Sequence, residues 1–252
     1  MKNQTFTIYF DEAGRWPLAG PLFVWLLCPI SKLSKKGIAP FCDSKQINET
    51  RREELFTHIE KLKSEWKIIF SPARMTASEI DQYGMSNALH LAILRWMIQI
   101  FGQIFPEIKI KDNLPDPLST KIKPILKYTD VLTYFSELNS QWVKIKLIMD
   151  WNRDFGLRKM FPFWEVETIV SWDAKVKEIS VASIIAKVSR DHVMQSLPKK
   201  YDKYNFAKHK WYGTKEHKDL LEKYGASDIH RKLFLKWIFP NHKFFKKLPE
   251  KF

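Results

Sequence analysis

The stretch TFTIYFDEAGRWPLAGP, residues 5–21, constrains this chain more than any other. Phe6, Ile8 and Phe10 alternate with Thr7 and Tyr9, and the alternation runs into adjacent acids, Asp11 and Glu12. Ala13-Gly14-Arg15 and a turn bounded by Pro17 and Pro21 follow at once. Period-two alternation bounded by Gly and Pro predicts a strand that stops abruptly at the acids. On a regular strand neighbouring side chains face opposite ways. The pair can then serve one site only where the strand breaks, and Gly14 supplies such a break. Two carboxylates at a strand end suit a hard cation, which prefers carboxylate oxygen. The plainer reading is an acidic turn.

At 252 residues the chain can bury one good core and carry a small appendage. Its 42 Lys and Arg against 28 Asp and Glu leave a formal charge of +14. Such a balance suits a polyanionic partner, of which nucleic acid is the commonest, although a basic face can also simply be solvated. Two cysteines, Cys28 and Cys42, give no disulfide framework and fit a reducing compartment. The N-terminus lacks the pattern of a signal peptide, and the apolar stretch Leu18 to Ile30 is too short to span a bilayer. These features lead us to expect a cytoplasmic protein.

After the first strand, Leu22 to Leu27 reads as a buried strand, and an amphipathic helix is predicted from Glu49 to Lys63 with Leu55, Ile59 and Leu62 inward. Trp66 to Ser71 reads as a strand, Ala77 to Tyr83 as a short helix and Ser86 to Phe101 as a longer one. Residues 102–142, with four prolines, read as an irregular, partly helical insertion. Val143 to Met149 is a buried strand ending at Asp150, and Thr168 to Val170 a short one leading to Asp173. A helix follows from Ile179 to about Leu197, with Lys187 and Arg190 on a polar stripe that could meet phosphates or face water. The organisation is a domain over 1–197 with a basic, aromatic segment over 198–252, including a helix at Lys215 to Tyr224.

Asp11, Glu12, Asp150 and Asp173 thus fall at strand ends or loop entries. Convergence of four acids in so basic a chain makes physical sense around divalent cations, and a pair of them can promote phosphoryl hydrolysis. His209, His217 and His230 are a rival set, but their spacing fits no zinc signature. Structural or phosphate-facing histidines are the simpler account. The chain has no P-loop and no dinucleotide glycine pattern.

The motifs DEAGRWPLAGP, DSKQIN, MDWN, SWDAKVKEISVASIIAKVSRD, YNFAKHKWYGTKEH and IHRKLF occur in that order. Together they resemble ribonuclease HII over residues 5–101 and 143–235. The resemblance implies an α/β, RNase H-like fold, a mixed five-stranded sheet flanked by helices with a C-terminal helical segment. It also implies Mg²⁺- or Mn²⁺-dependent endonucleolytic cleavage of RNA in RNA–DNA hybrids and of duplex DNA 5′ of embedded single ribonucleotides, the incision that opens ribonucleotide excision repair, by a monomer. By motif, Asp11, Glu12, Asp150 and Asp173 become the catalytic metal ligands. Gly14, Arg15 and Trp16 match the segment whose backbone contacts the ribonucleotide 2′-OH, the group that tells RNA from DNA. Tyr212 matches the tyrosine that packs on the next sugar, and Lys45, Lys187 and Arg190 would hold phosphates. The related ribonuclease HIII fits less well, since its extra N-terminal domain has no room before Asp11, its motif usually has Gly-Lys and its fourth acid is usually Glu.

Four positions where the family has glycine hold Trp16, Trp151, Trp172 and Trp211. An indole at position 16 would crowd a backbone that must touch a 2′-OH, and a positive φ there would add strain. Two accounts compete. In the first, the chain is a non-catalytic binder of hybrids whose site has decayed. Alternatively, UGA codons read as glycine in some bacterial codes have been rendered as tryptophan. Composition favours the second, because 8 Gly plus 10 Trp gives 18, the glycine number expected at about 7%.

Overall fold

The computed structural model describes residues 4–31, 47–104, 128–140, 143–149, 154, 156–169, 177–196 and 201–240. Five strands form one mixed sheet in the order β3-β2-β1-β4-β5. They are β1 Gln4–Ala13, β2 Leu22–Pro29, β3 Ile68–Met75, β4 Val143–Met149 and β5 Trp164–Thr168. β1 is central, antiparallel to β2 and parallel to β4. Around the sheet lie α1 Glu49–Ser64, α2 Ala77–Ile104, α3 Tyr128–Ser140, the short α4 Leu157–Met160 and α5 Lys177–Ser196. A C-terminal layer holds a 3₁₀ turn at Asp202–Tyr204, then α6 Phe206–His209, α7 Lys215–Tyr224 and α8 Lys232–Ile238.

Strand parity sorts the core. Phe6, Ile8 and Phe10 join Leu22, Val24 and Leu26 under α2 and α3. The opposite parity, Phe23, Trp25 and Leu27, meets Leu55, Ile59 and Leu62 of α1 and Val181, Ile184, Ile185 and Val188 of α5. Burial of large aliphatic and aromatic side chains on both faces, at about 1.5–3 kcal/mol each, is what holds the sheet. A third cluster, Leu18, Ala19, Tyr201, Tyr204, Phe206, Trp211, Leu221 and Leu235, binds the C-terminal layer to the turn after β1.

Three expectations shift. β1 does not stop at the acids, because β2 goes on pairing with it through Glu12↔Val24 and Ala13↔Phe23; among the described residues its last pair with β4 is Phe10↔Met149. β5 lies earlier than Thr168 to Val170. Trp164 and Val166 point inward while Glu165 and Glu167 bond Lys146 on β4 at 2.6 and 2.8 Å. The two helices over 77–101 form one element with a kink at Gly84, whose φ of 76° breaks the helical run.

The end of α1 shows a further irregularity. Trp66 N–H donates to the Lys63 carbonyl and Lys67 N–H to the Leu62 carbonyl, both at 3.0 Å. This paired closure places its αL residue one position past the cap, where glycine is usual. That residue is Trp66, at φ 54° and 68% exposed.

Candidate active site

Asp11 and Glu12 occupy the last turns of pleat on β1, half-buried, and the Asp11 carboxylate accepts the Glu12 N–H at 2.8 Å. Among the described residues, this tip of β1 pairs with β2 alone beyond Phe10↔Met149. The start of α5 reaches the same end of the sheet. Burial, reinforced by the nearby Glu178 carboxylate, pushes the Tyr9 phenol up to about 12. Asp150, Asp173 and Lys45 lie outside the described residues, as do Trp151 and Trp172. Among the described residues no group of three or more His, Cys, Asp or Glu is arranged to hold a metal ion.

Beyond Ala13 the chain turns at Gly14, whose φ is 88°. A Cβ there would sit 2.7 Å from the Pro21 carbonyl oxygen, so only glycine fits without displacing backbone. Trp16 escapes the strain expected of it. Its φ is not positive, and its indole, 68% exposed, stands clear of the fold beside the Arg15 guanidinium at 5.4 Å.

The turn is tied to the C-terminal layer. Leu18 N–H donates to the Trp211 carbonyl at 2.9 Å and Gly20 N–H to the Ile229 carbonyl at 2.8 Å. Trp211 does carry the strain. Its φ is 67°, its side chain is buried, and its indole ring occupies the space where a Cβ on Gly20 would stand, 1.6 Å from it. The buried Trp211 Nε1 meets no hydrogen-bond acceptor among the described residues. A side chain held in αL costs about 1–2 kcal/mol, and a buried orphan donor a similar amount again. The local backbone is shaped for a smaller residue.

Tyr212, half-exposed, follows directly. The Arg190 guanidinium packs over its ring at 5.2 Å and donates to the Lys210 carbonyl at 3.0 Å. Arg190 therefore braces the tyrosine loop, a role that its place on a polar stripe did not reveal. Lys187 lies one helical turn away. Burial and then the Arg52 guanidinium hold its ammonium below the usual lysine range; Asp191 opposes this, and Lys210 and Arg190 add to it. Four cations gathered with one acid make a place where an anion is welcome.

The histidines converge, but as structure. Ser227 N–H donates to His230 Nδ1 at 2.9 Å, which leaves the His230 proton on Nε2. That proton goes to His217 Nε2 at 3.1 Å, and His217 Nδ1–H in turn donates to the Tyr212 carbonyl at 2.9 Å. One set of tautomers satisfies the whole relay. His209 stacks on His217, ring centres 4.4 Å apart, and its Nε2 bonds the Tyr204 carbonyl at 2.7 Å. With both ring nitrogens of His217 and His230 committed, their relay is a scaffold for the Tyr212 loop, and no metal-holding cluster is found among the described residues.

A family model for ribonuclease HII matches residues 8–145 and 137–237. The chain belongs to the ribonuclease HII family. It is 35% identical over 224 residues to a ribonuclease HII of Aliarcobacter butzleri, covering 89% of this chain and 88% of that one. A Campylobacter concisus ribonuclease HII is 34% identical over 89% of this chain and 90% of its own length. Among solved structures, ribonuclease H2 of Pyrococcus horikoshii superposes with a TM-score of 0.54 at 23% identity, over 94% of this chain and all of that one. The ribonuclease HII of Archaeoglobus fulgidus, solved with PCNA, superposes with a TM-score of 0.55 at 17% identity, over 98% of both chains. These likenesses bear out the ribonuclease HII resemblance and the mixed five-stranded α/β fold. No described helix is long and apolar enough to cross a membrane.

Sequence reasoning missed two residues that hold the turn after β1 and its neighbouring helix in place. Arg231 is wholly buried and donates to the carbonyls of Gly14, Arg15 and Gly20. Asp81 accepts the N–H groups of Lys232 at 2.9 Å and Leu233 at 2.8 Å, anchoring α8 just after Arg231. An arginine inside the IHRKLF motif was the available signal for the first.

Proposed function

We propose that this chain is a metal-dependent endonuclease that cleaves RNA in RNA–DNA hybrids and incises duplex DNA 5′ of a single ribonucleotide. Cleavage leaves a 3′-hydroxyl and a 5′-phosphate. One observation supports the reading above others: two half-buried carboxylates on the tip of β1 run straight into a rigidly held glycine turn. Membership of the ribonuclease HII family supplies the reaction class.

The donor set fits Mn²⁺ or Mg²⁺, since Asp11 and Glu12 offer hard carboxylate oxygen at the tip of β1. Asp150 is bonded to Met149, the register partner of Phe10 and so of the residue before Asp11. Asp173 precedes the α5 end that faces Tyr9. These four acids would hold the ions, which supply Lewis acidity and charge neutralisation when bound. The protein's own part is positioning. Lys187, with Arg52 and Lys210 beside it, draws the phosphate backbone, the Gly14-Arg15-Trp16 turn reads the 2′-hydroxyl, and the Tyr212 ring packs on the neighbouring sugar. Lys45 is assigned to a phosphate on the same grounds. The expected setting is cytoplasmic repair of ribonucleotides left in DNA, by a monomer.

Incubating the protein with a duplex carrying one ribonucleotide, with Mn²⁺ or Mg²⁺ and again with chelator, tests this. A metal-dependent nick 5′ of the ribonucleotide is expected. Binding without a nick, both by this chain and by a version with glycine at 16, 151, 172 and 211, would leave a non-catalytic hybrid binder as the better account. Activity regained only on restoring glycine would support the rendering of UGA glycine codons as tryptophan, and UGG at those codons would end that idea.

A further inference from the structure

We infer that Arg231 is a positioning residue that aims the two backbone N–H groups by which the turn after β1 senses a ribonucleotide; this rests on the nuclease reading above. Its guanidinium is fully buried, and burial pushes it down to about 9. It stays in place because backbone carbonyls surround it. Nε donates to the Gly20 carbonyl at 2.9 Å, Nη1 to that of Arg15 at 3.0 Å and Nη2 to that of Gly14. Its own N–H donates to the Leu18 carbonyl at 2.8 Å, and its plane lies over Phe234 at 5.4 Å. Four carbonyls of one short loop thus converge on one residue.

The consequence follows from peptide geometry. The Gly14 carbonyl and the Arg15 N–H share one peptide plane, as do the Arg15 carbonyl and the Trp16 N–H. All peptides here are trans, so in each plane N–H and C=O point in opposite directions. Holding both carbonyls inward on Arg231 turns both N–H groups outward, away from the guanidinium. A lysine could replace the charge but not the fork, since an ammonium is a point donor whereas the guanidinium addresses several carbonyls in fixed directions.

Arg231→Lys tests the assignment. In chelator, the affinities of the unaltered chain and the variant are measured for a duplex with one ribonucleotide and for its all-DNA counterpart. We expect the variant to lose at least tenfold of its preference for the ribonucleotide. Affinity for the all-DNA duplex, set by Lys187 and its neighbours, should change less than twofold. Hydrogen exchange over residues 14–20 should quicken at least tenfold, with β1 and β4 unchanged. A folded variant with unaltered preference and unaltered exchange overturns the proposal. If the unaltered chain itself shows no preference, the nuclease reading has failed, while exchange over 14–20 still decides what Arg231 does. Should Arg231→Lys not fold, the ¹⁵Nε signal of Arg231 in the unaltered chain decides instead. Slow proton exchange there supports the clamp, and exchange as fast as that of a surface arginine overturns it.

Discussion

Ile8 on β1 and His217 on α7 are equally hidden from water, yet they are hidden for different reasons. Ile8 belongs to a face where any well-shaped apolar side chain would serve, and its burial is worth much the same at any pH. His217 is buried only as one tautomer in a relay that runs from Ser227 to the Tyr212 carbonyl. The sheet is held chiefly by area, whereas the C-terminal layer adds directed bonds to an apolar cluster of its own. Division of labour follows. The sheet can carry the carboxylates because it tolerates charge at its tip, and the layer holds the Tyr212 loop in one shape because one set of tautomers satisfies its relay.

The largest effect that should separate the two regions is chemical. Asp11→Asn should lower the rate of nicking by about 10²–10³-fold, as loss of a principal electrostatic group does, while the thermal midpoint stays within a degree or two. A parallel fall in stability would show that the tip of β1 is structural after all.

Acid should then act on the layer and spare the sheet. Burial pushes His217 down to about 4 and, together with the neighbouring His217, His230 down to about 3. Both values lie below the unfolded one near 6.5, so on acidification the unfolded chain takes up protons first. The stabilisation is therefore present above about pH 6.5 and is lost as pH falls toward 4. Two such groups amount to roughly 3 kcal/mol between pH 7 and 5, to be read from urea unfolding at each pH. A His217→Gln variant should show about half that slope. Ile8→Val, in contrast, should cost about 1 kcal/mol at every pH. If its cost changed with acidity, the distinction drawn here would collapse.

The smallest effect sharpens the comparison at one conformation found in both regions. Trp66 and Trp211 both hold positive φ, one exposed at the end of α1 and one buried against Gly20. Trp66→Gly should stabilise the protein by about 1 kcal/mol, since it relieves αL strain and removes little packing, which thermal unfolding would register as a shift of a few degrees. A loss of stability would mean that the exposed indole packs usefully along α1.

What could be read from sequence divides along the same line. Alternation through Phe6, Ile8 and Phe10, and helical spacing at Leu55, Ile59 and Leu62, located sheet and helices, because area leaves a periodic trace. The predicted strand at Thr168 to Val170 falls late because the alternation of β5 is carried by Trp164 and Val166 between glutamates, whose charges find Lys146 only in the folded sheet. Asp11, Glu12 and the glycine turn were legible as a motif. Arg231 was not, since its partners are backbone carbonyls more than 200 positions away, and carbonyls look alike in every sequence. The histidine relay escaped for a related reason. Spacing tells which rings exist, but not where their protons sit.

The separation of 211 to 217 positions between Arg231 and the carbonyls it gathers has a temporal side. During translation the acids of β1 emerge more than 200 residues before the residue that orders the adjoining loop. Until Arg231 has been added, the turn beside those acids lacks the side chain that fixes it.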